Sequence, residues 1–175
     1  MLPVKELRGL AAALPSAEFR KQLGPFVLIQ RPPGKAGGTT NKMGLPAAAR
    51  TTQVVSAKSV MANSLSLLFQ FDDLMVASVP PLHGVDELTV GRQPDCDLVL
   101  DDPSVSKLHA VLRWDGVHDA CTVQDHGSTN GTYLNASVKL KRETTLRDGD
   151  ILSFGDVQYW YLRTTSLYEK LRKGT

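Results

Sequence analysis

Short apolar runs recur along the later part of the chain, at residues 65–71, 74–79, 88–90, 98–100, 109–114, 121–124, 133–134, 151–154 and 158–162. Turn-forming residues separate them: Asp72 and Asp73, Pro80 and Pro81, Asp115 and Gly116, Asn130 and Gly131, Asp148 and Gly149, Gly155 and Asp156. Apolar runs this short, closed by Gly, Asn, Asp and Pro, predict β-strands. Many short strands with closely spaced turns predict an all-β sandwich or barrel. None of the intervening segments has the helical pattern, roughly 10–15 residues long, that a parallel α/β sheet needs.

The first thirty residues have a different texture. Val4, Leu7, Leu10, Ala11 and Leu14 recur at helical spacing, with Pro3 where a helix would begin. A second short helix is predicted from Ser16, a residue type that caps helices, to about Leu23. Phe26, Val27, Leu28 and Ile29 then read as a strand or an extended apolar hook. This arm is too small to fold alone, so it packs on the main domain or on a partner. Residues 31–58 shift to Pro, Gly, Thr and Ala, which bury too little apolar surface to offset their ordering entropy. The expected organisation is a helical and extended arm over 1–30, a flexible linker over 31–58, a β-sandwich over 59–165 and a short helical tail over 166–175.

Composition narrows the class. Of 175 residues, 42% are hydrophobic and 22% charged, which leaves room for one well-buried domain with an appendage. No apolar run approaches the roughly 18–20 residues of a membrane-spanning helix. The N-terminus, interrupted by Lys5, Glu6 and Arg8, lacks the basic start and solid apolar core of a secretory signal. The expectation is a cytoplasmic protein with no membrane partner. Cys96 and Cys121 are too few for a disulfide framework and lack the spacing of a zinc site, so both are expected to be small buried side chains in strands. Asp95, Asp97, Asp101 and Asp102 lack the Gly and Glu of a calcium loop and read as turn residues. Gly34 and Lys35 are followed by Ala36 rather than the Ser or Thr of a phosphate-binding P-loop. No metal and no cofactor is expected.

The net charge of +2 hides an asymmetry: residues 1–58 hold nine Lys/Arg and two Asp/Glu, and the remainder eleven and sixteen. A basic front on an acidic body fits a solvated arm, an acidic partner, or the protein's own body. The arm has no pattern of aromatic stacking residues, so no nucleic-acid partner is expected.

Five landmarks carry candidate chemistry: Gly91-Arg92; Ser106-Lys107-Leu108-His109; His126-Gly127-Ser128-Thr129-Asn130-Gly131-Thr132; Asp148-Gly149-Asp150; and Phe154-Gly155. In this order, over about residues 65–162, the series closely resembles the forkhead-associated (FHA) domain. The resemblance implies a sandwich of two antiparallel sheets and a loop site for phosphothreonine. The chemistry is coherent without the family. Phosphothreonine carries about −1.5 to −2 charge and three acceptor oxygens, so its site needs a guanidinium, hydroxyl or amide donors and tight backbone loops. Arg92 offers the guanidinium, Ser106 a hydroxyl, and Lys107 a second cation without the bidentate fork. By resemblance, the Asn130 amide grips the main chain of the peptide and the Thr129 hydroxyl faces the phosphate. The resemblance also implies that His109 braces the serine loop, with Gly91 and Gly131 as structural support. Ser106, His109 and Asp125 do not read as a catalytic triad, because Ser106 is not in a G-x-S-x-G elbow. His83, His118 and His126 lack metal-ligand spacing.

The resulting expectation is a non-enzymatic, phosphothreonine-dependent adaptor in serine/threonine kinase signalling. Its partner would be a phosphothreonine protein such as a kinase or a kinase substrate. Residues 31–58, as a coil, span roughly 30 Å, which puts Thr39, Thr40, Thr51 and Thr52 within reach for intramolecular capture once phosphorylated. The alternative is a phosphate-independent scaffold that docks through the basic arm.

Overall fold

Alternation sets the inner faces of the sandwich. In the strand Ala110–Asp115, residues Ala110, Leu112 and Trp114 are buried while Val111, Arg113 and Asp115 are partly exposed. The antiparallel strand Ala120–Asp125 repeats this with Cys121 and Val123. The period of two is that of a sheet with one face on a core and one toward water.

The computed structural model describes residues 1–31, 74–79, 85–135 and 138–173. In chain order its elements are β1 (Leu2–Pro3), α1 (Val4–Ala13), α2 (Ser16–Leu23), β2 (Phe26–Gln30), β3 (Met75–Ser78), β4 (Val85–Gly91), β5 (Leu98–Val99), β6 (Ala110–Asp115), β7 (Ala120–Asp125), β8 (Thr132–Leu134), β9 (Val138–Lys139), β10 (Thr144–Thr145), β11 (Ile151–Phe154), β12 (Val157–Arg163) and α3 (Thr164–Lys173). Among the described residues the strands form a seven-stranded sheet, in the order β1-β3-β2-β12-β11-β8-β9, and a five-stranded sheet, β10-β7-β6-β4-β5. Pairing is antiparallel except between β4 and β5, where Val90 and Gly91 lie beside Leu98 and Val99 in parallel. Residues 32–58 of the expected linker with their four threonines, the apolar run 65–71, the turns at 72–73 and 80–81, and His83 lie outside the described residues.

At β2 and β12 the larger sheet is buried on both faces. Phe26 and Leu28 of β2, with Tyr159 and Tyr161 of β12, enter the core between the sheets beside Leu88, Leu112, Trp114 and Phe154. The intervening Val27, Ile29, Trp160 and Leu162 face a layer of three helices, where they meet Val4, Leu7 and Ala11 of α1, Phe19 and Leu23 of α2, and Leu167, Tyr168 and Leu171 of α3. That is why residues 26–29 read as a continuous apolar run rather than an alternating one.

The apolar hook therefore packs on the main domain, as an interior strand. β2 lies between β3 and β12, with Leu28 paired to both Ala77 and Tyr161. The helical layer is pinned at several points. Thr164 Oγ1 donates to Gly24 O at 2.7 Å, Tyr168 Oη donates to Leu14 O at 3.0 Å, and the Arg31 guanidinium lies 4.9 Å from the Trp160 ring centroid. The bonds to Gly24 and to the Pro25 carbonyl start α3 at Thr164, earlier than the turn expected from Ser166.

Cys121 is buried in β7, and burial pushes its thiol up to about 12. Cys96 departs from expectation. It is only half-buried, lies in the β4–β5 loop rather than a strand, and directs its thiol at the Lys107 carbonyl, 3.4 Å away. Asp97, beside it, closes that loop by accepting from the N–H and hydroxyl of Thr89 at 2.8 and 2.7 Å. Among the described residues no helix is long and apolar enough to cross a membrane.

Candidate functional site

The β4–β5, β5–β6 and β7–β8 loops meet at one end of the sandwich. Their junction begins at Gly91, the last residue of β4. A Cβ there would stand 2.1 Å from the Lys107 carbonyl oxygen, so only glycine lets the two backbones press together. Across this contact Arg92 N–H donates to Ser106 O at 3.0 Å and Gln93 N–H to Lys107 O at 3.1 Å. Arg92 is exposed, and its Nε donates to Val105 O at 3.3 Å. This bond aims the guanidinium from a fixed base.

His109, fully buried, ties the second loop to the third. Its Nδ1 accepts the Ser106 N–H at 3.0 Å, so the ring proton sits on Nε2, which faces Gly131 O at 3.2 Å. Burial pushes its pKa below the usual histidine range, against the opposing pull of the Gly131 carbonyl and the Asp125 charge. A neutral ring suits this geometry, since one nitrogen must accept and the other donate. Phe154 packs edge-on against the ring at 5.8 Å.

The exposed groups follow from these braces. Ser106 Oγ accepts the Thr129 N–H at 3.0 Å and lies 3.5 Å from the Thr129 hydroxyl, which sets the two hydroxyls side by side. Asn130 Nδ2 donates to Ser104 O at 2.8 Å. Among the described residues no donor reaches its Oδ1, which is left to accept from outside. Gly131 turns the chain with φ +86, a conformation that β-carbons disfavour.

The structure thus brings Arg92, Ser106, Thr129 and Asn130 to one surface over Gly91, His109 and Gly131. Lys107 follows Ser106 and is exposed; its carbonyl serves the Gln93 and Cys96 contacts, and its ammonium has no carboxylate within ion-pair distance among the described residues. Ser106, His109 and Asp125 do not assemble as a proton relay. His109 meets the main-chain N–H of Ser106, not its hydroxyl, and Asp125 is engaged elsewhere.

Asp102 sits in a turn, as expected, and Ser128, Thr132 and Gly155 lie in the landmarks, but the supporting contacts of these residues and of Asp125 are not among the expectations from sequence. Asp125 accepts from Ser128 N–H and Oγ at 3.1 and 2.6 Å and from Thr132 Oγ1 at 2.7 Å. Its partial burial favours the neutral acid, but these bonds together outweigh it and hold the carboxyl below the usual range. Asp102 likewise accepts from Ser104 N–H and Oγ at 2.8 and 2.6 Å. Ser104 Oγ in turn accepts the Asp156 N–H at 2.9 Å, and a Cβ on Gly155 (φ +59) would stand 2.5 Å from Ser104 O. The signal was present in Asp-x-Ser and Asp-x-x-Ser, spacings at which a carboxylate closes a local turn.

Residues 88–155 match the family model of the FHA domain. The glycogen accumulation regulator GarA of Mycolicibacterium smegmatis is 34% identical over 128 residues, which cover 70% of this chain and 74% of that protein. This chain belongs to the FHA family. Two other relatives match over a shorter stretch. The oxoglutarate dehydrogenase inhibitor of Corynebacterium jeikeium is 42% identical over 41% of this chain and 47% of its own length. Human mediator of DNA damage checkpoint protein 1 is 38% identical over 47% of this chain and 4% of its own. The chain therefore spans about half or less of these two relatives. The solved FHA domain of FhaA, complexed with the intracellular domain of Rv3910, is 29% identical with a TM-score of 0.42, covering 51% of this chain and 88% of that one. FHA domains are a phosphothreonine-binding adaptor family, and the FHA relatives above bear the names of a regulator, an inhibitor and a mediator.

Proposed function

We propose that this chain is a phosphothreonine-dependent adaptor whose FHA loops hold the phosphate through Arg92, Ser106 and Thr129, with Lys107 as a second cation, and the peptide main chain through Asn130. One observation carries the reading: His109 locks the Ser106 loop to the Gly131 turn, which gathers a guanidinium, two adjacent hydroxyls and a half-satisfied amide on one exposed surface. Each is a donor or acceptor with capacity left for a ligand, and the set matches a phosphate bearing a short main-chain segment. The acidic excess of residues 59–175 repels such a ligand only within roughly 8–10 Å at moderate salt, so the local cations govern capture. Partners would be proteins phosphorylated on threonine by a serine/threonine kinase, and the threonines at 39, 40, 51 and 52 are candidate internal ligands once phosphorylated.

Fluorescence anisotropy of the purified protein against a phosphothreonine peptide library, with phosphoserine and unphosphorylated controls, tests the proposal. Selective micromolar binding to phosphothreonine supports it. Equal binding to phosphorylated and unphosphorylated peptides would instead favour a phosphate-independent scaffold.

A further inference from the structure

The turn at Asn130 and Gly131 has a neighbour that the landmarks do not include. The space that a Gly131 side chain would occupy is taken by Lys139 of β9. A Cβ there would meet Lys139 Cε at 2.7 Å and Nζ at 3.1 Å, and Tyr133 Cε2 at 3.2 Å. Lys139 lies opposite Tyr133 in the β8–β9 pair, with its ammonium 6.0 Å from the ring centroid. The ring face steadies the cation and its methylene stem. Lys139 is exposed, and among the described residues no carboxylate lies within ion-pair distance of it.

The positions along the loop give a direction. Thr129 touches Ser106, Asn130 reaches Ser104, and Gly131 abuts Lys139. Gly131 directly follows Asn130, so the Lys139 side chain stands beside the backbone one residue from the Asn130 amide. A peptide whose main chain is held by Asn130 would bring a side chain near its phosphothreonine within reach of Lys139.

We infer that Lys139 forms a subsite for an acidic side chain of the bound peptide, close in sequence to the phosphothreonine. The inference rests on the phosphothreonine reading and adds to it a selectivity. A compact ammonium, lacking the planar fork of arginine, fits a single carboxylate. The site is open to water, so the preference it confers is modest, about two- to fivefold in affinity, the range of an exposed ion pair.

The test is anisotropy with phosphothreonine peptides in which aspartate, alanine or lysine is placed in turn at each of the positions on either side of the phosphothreonine. The full chain and its Lys139→Ala and Lys139→Glu variants are compared. At one position the parent should favour aspartate over alanine by about two- to fivefold, Lys139→Ala should remove that preference, and Lys139→Glu should turn it toward lysine. Affinity for the all-alanine phosphopeptide should change little in Lys139→Ala, which shows that the variant is folded and that the phosphate contacts persist. Phosphate-dependent binding with no aspartate preference, or a preference that survives Lys139→Ala, overturns the subsite alone. Absence of any phosphate dependence in the parent overturns the subsite together with the reading beneath it.

Discussion

His109 Nδ1 accepts the main-chain N–H of Ser106 at 3.0 Å, while Nε2 of the same ring meets the Gly131 carbonyl at 3.2 Å. A ring that uses both nitrogens in this way cannot take a second proton without losing its bond to Ser106. In the unfolded chain His109 titrates near 6.5; folded, its pKa is lower. Above about pH 6.5 neither state is protonated there and the full contribution is present. As pH falls below that value the unfolded chain gains a proton that the folded ring refuses, so stability drops. Thermal unfolding between pH 7.5 and 5.5 should show this loss, and His109→Gln should lose less over the same interval. Equal losses in both proteins would remove His109 from the account.

Arg92→Ala should weaken phosphothreonine-peptide binding by about 2 kcal/mol or more, roughly 30-fold. It should leave the unfolding midpoint nearly unchanged, since the side chain is exposed and, among the described residues, its one hydrogen bond is to a carbonyl. Titration calorimetry paired with chemical denaturation separates the two effects. Undiminished affinity would displace Arg92 from the site.

Gly155→Ala tests the support of Asn130. The added methyl would approach Ser104 O to 2.5 Å, at a residue with φ +59. The Ser104 carbonyl that anchors Asn130 Nδ2 must then move. Peptide affinity should fall several-fold, and stability should fall by about 1–3 kcal/mol. Asn130→Ala should reproduce the affinity loss with little effect on stability, because Asn130 is exposed. An affinity loss in neither variant would detach Asn130 from ligand binding.

A fragment of residues 59–175 should not fold as a soluble monomer. It lacks β2, which pairs with both β3 and β12, and α1 and α2, which cover Trp160 and Leu162. Gel filtration and circular dichroism of the fragment check this. A monomeric fragment with native sheet content would show that the first thirty residues are dispensable.

Much of the sandwich is readable from sequence because its strands are local. The runs at 109–114 and 121–124 alternate and are joined by a four-residue turn whose amides bond back to Asp115, and they pair as neighbours with Leu112 beside Val123. The first N-terminal helix is likewise announced by its own periodicity, and the second is expected from Ser16, which is its first residue. The place of β2 is not readable, since its run of four apolar residues fits a strand, a hook or a buried segment equally well. What decides is pairing with β12, and nothing within residues 26–30 specifies that partner. The site divides in the same way. Residues that offer chemistry outward, such as Arg92 and Ser106, stand out by type and order. Of those that position them, Gly91, His109, Gly131 and Gly155 stand among the landmarks, whereas the Ser104 carbonyl that holds Asn130 acts through a backbone atom, which carries no chemical label.

The bond between Thr164 and Gly24 joins residues 140 positions apart, and β2 and β12 meet just inside it. At roughly 5–20 residues per second, a ribosome takes about 7–28 s to cover that interval. Through most of it Phe26, Val27, Leu28 and Ile29 have been made, and from Met75 onward so has β3, but the partner on their other side, β12, has not. The larger sheet can close only after synthesis has passed Arg163, so the β12 side of this apolar strand stays unpaired for seconds. This is the interval in which a holding chaperone would have most to cover.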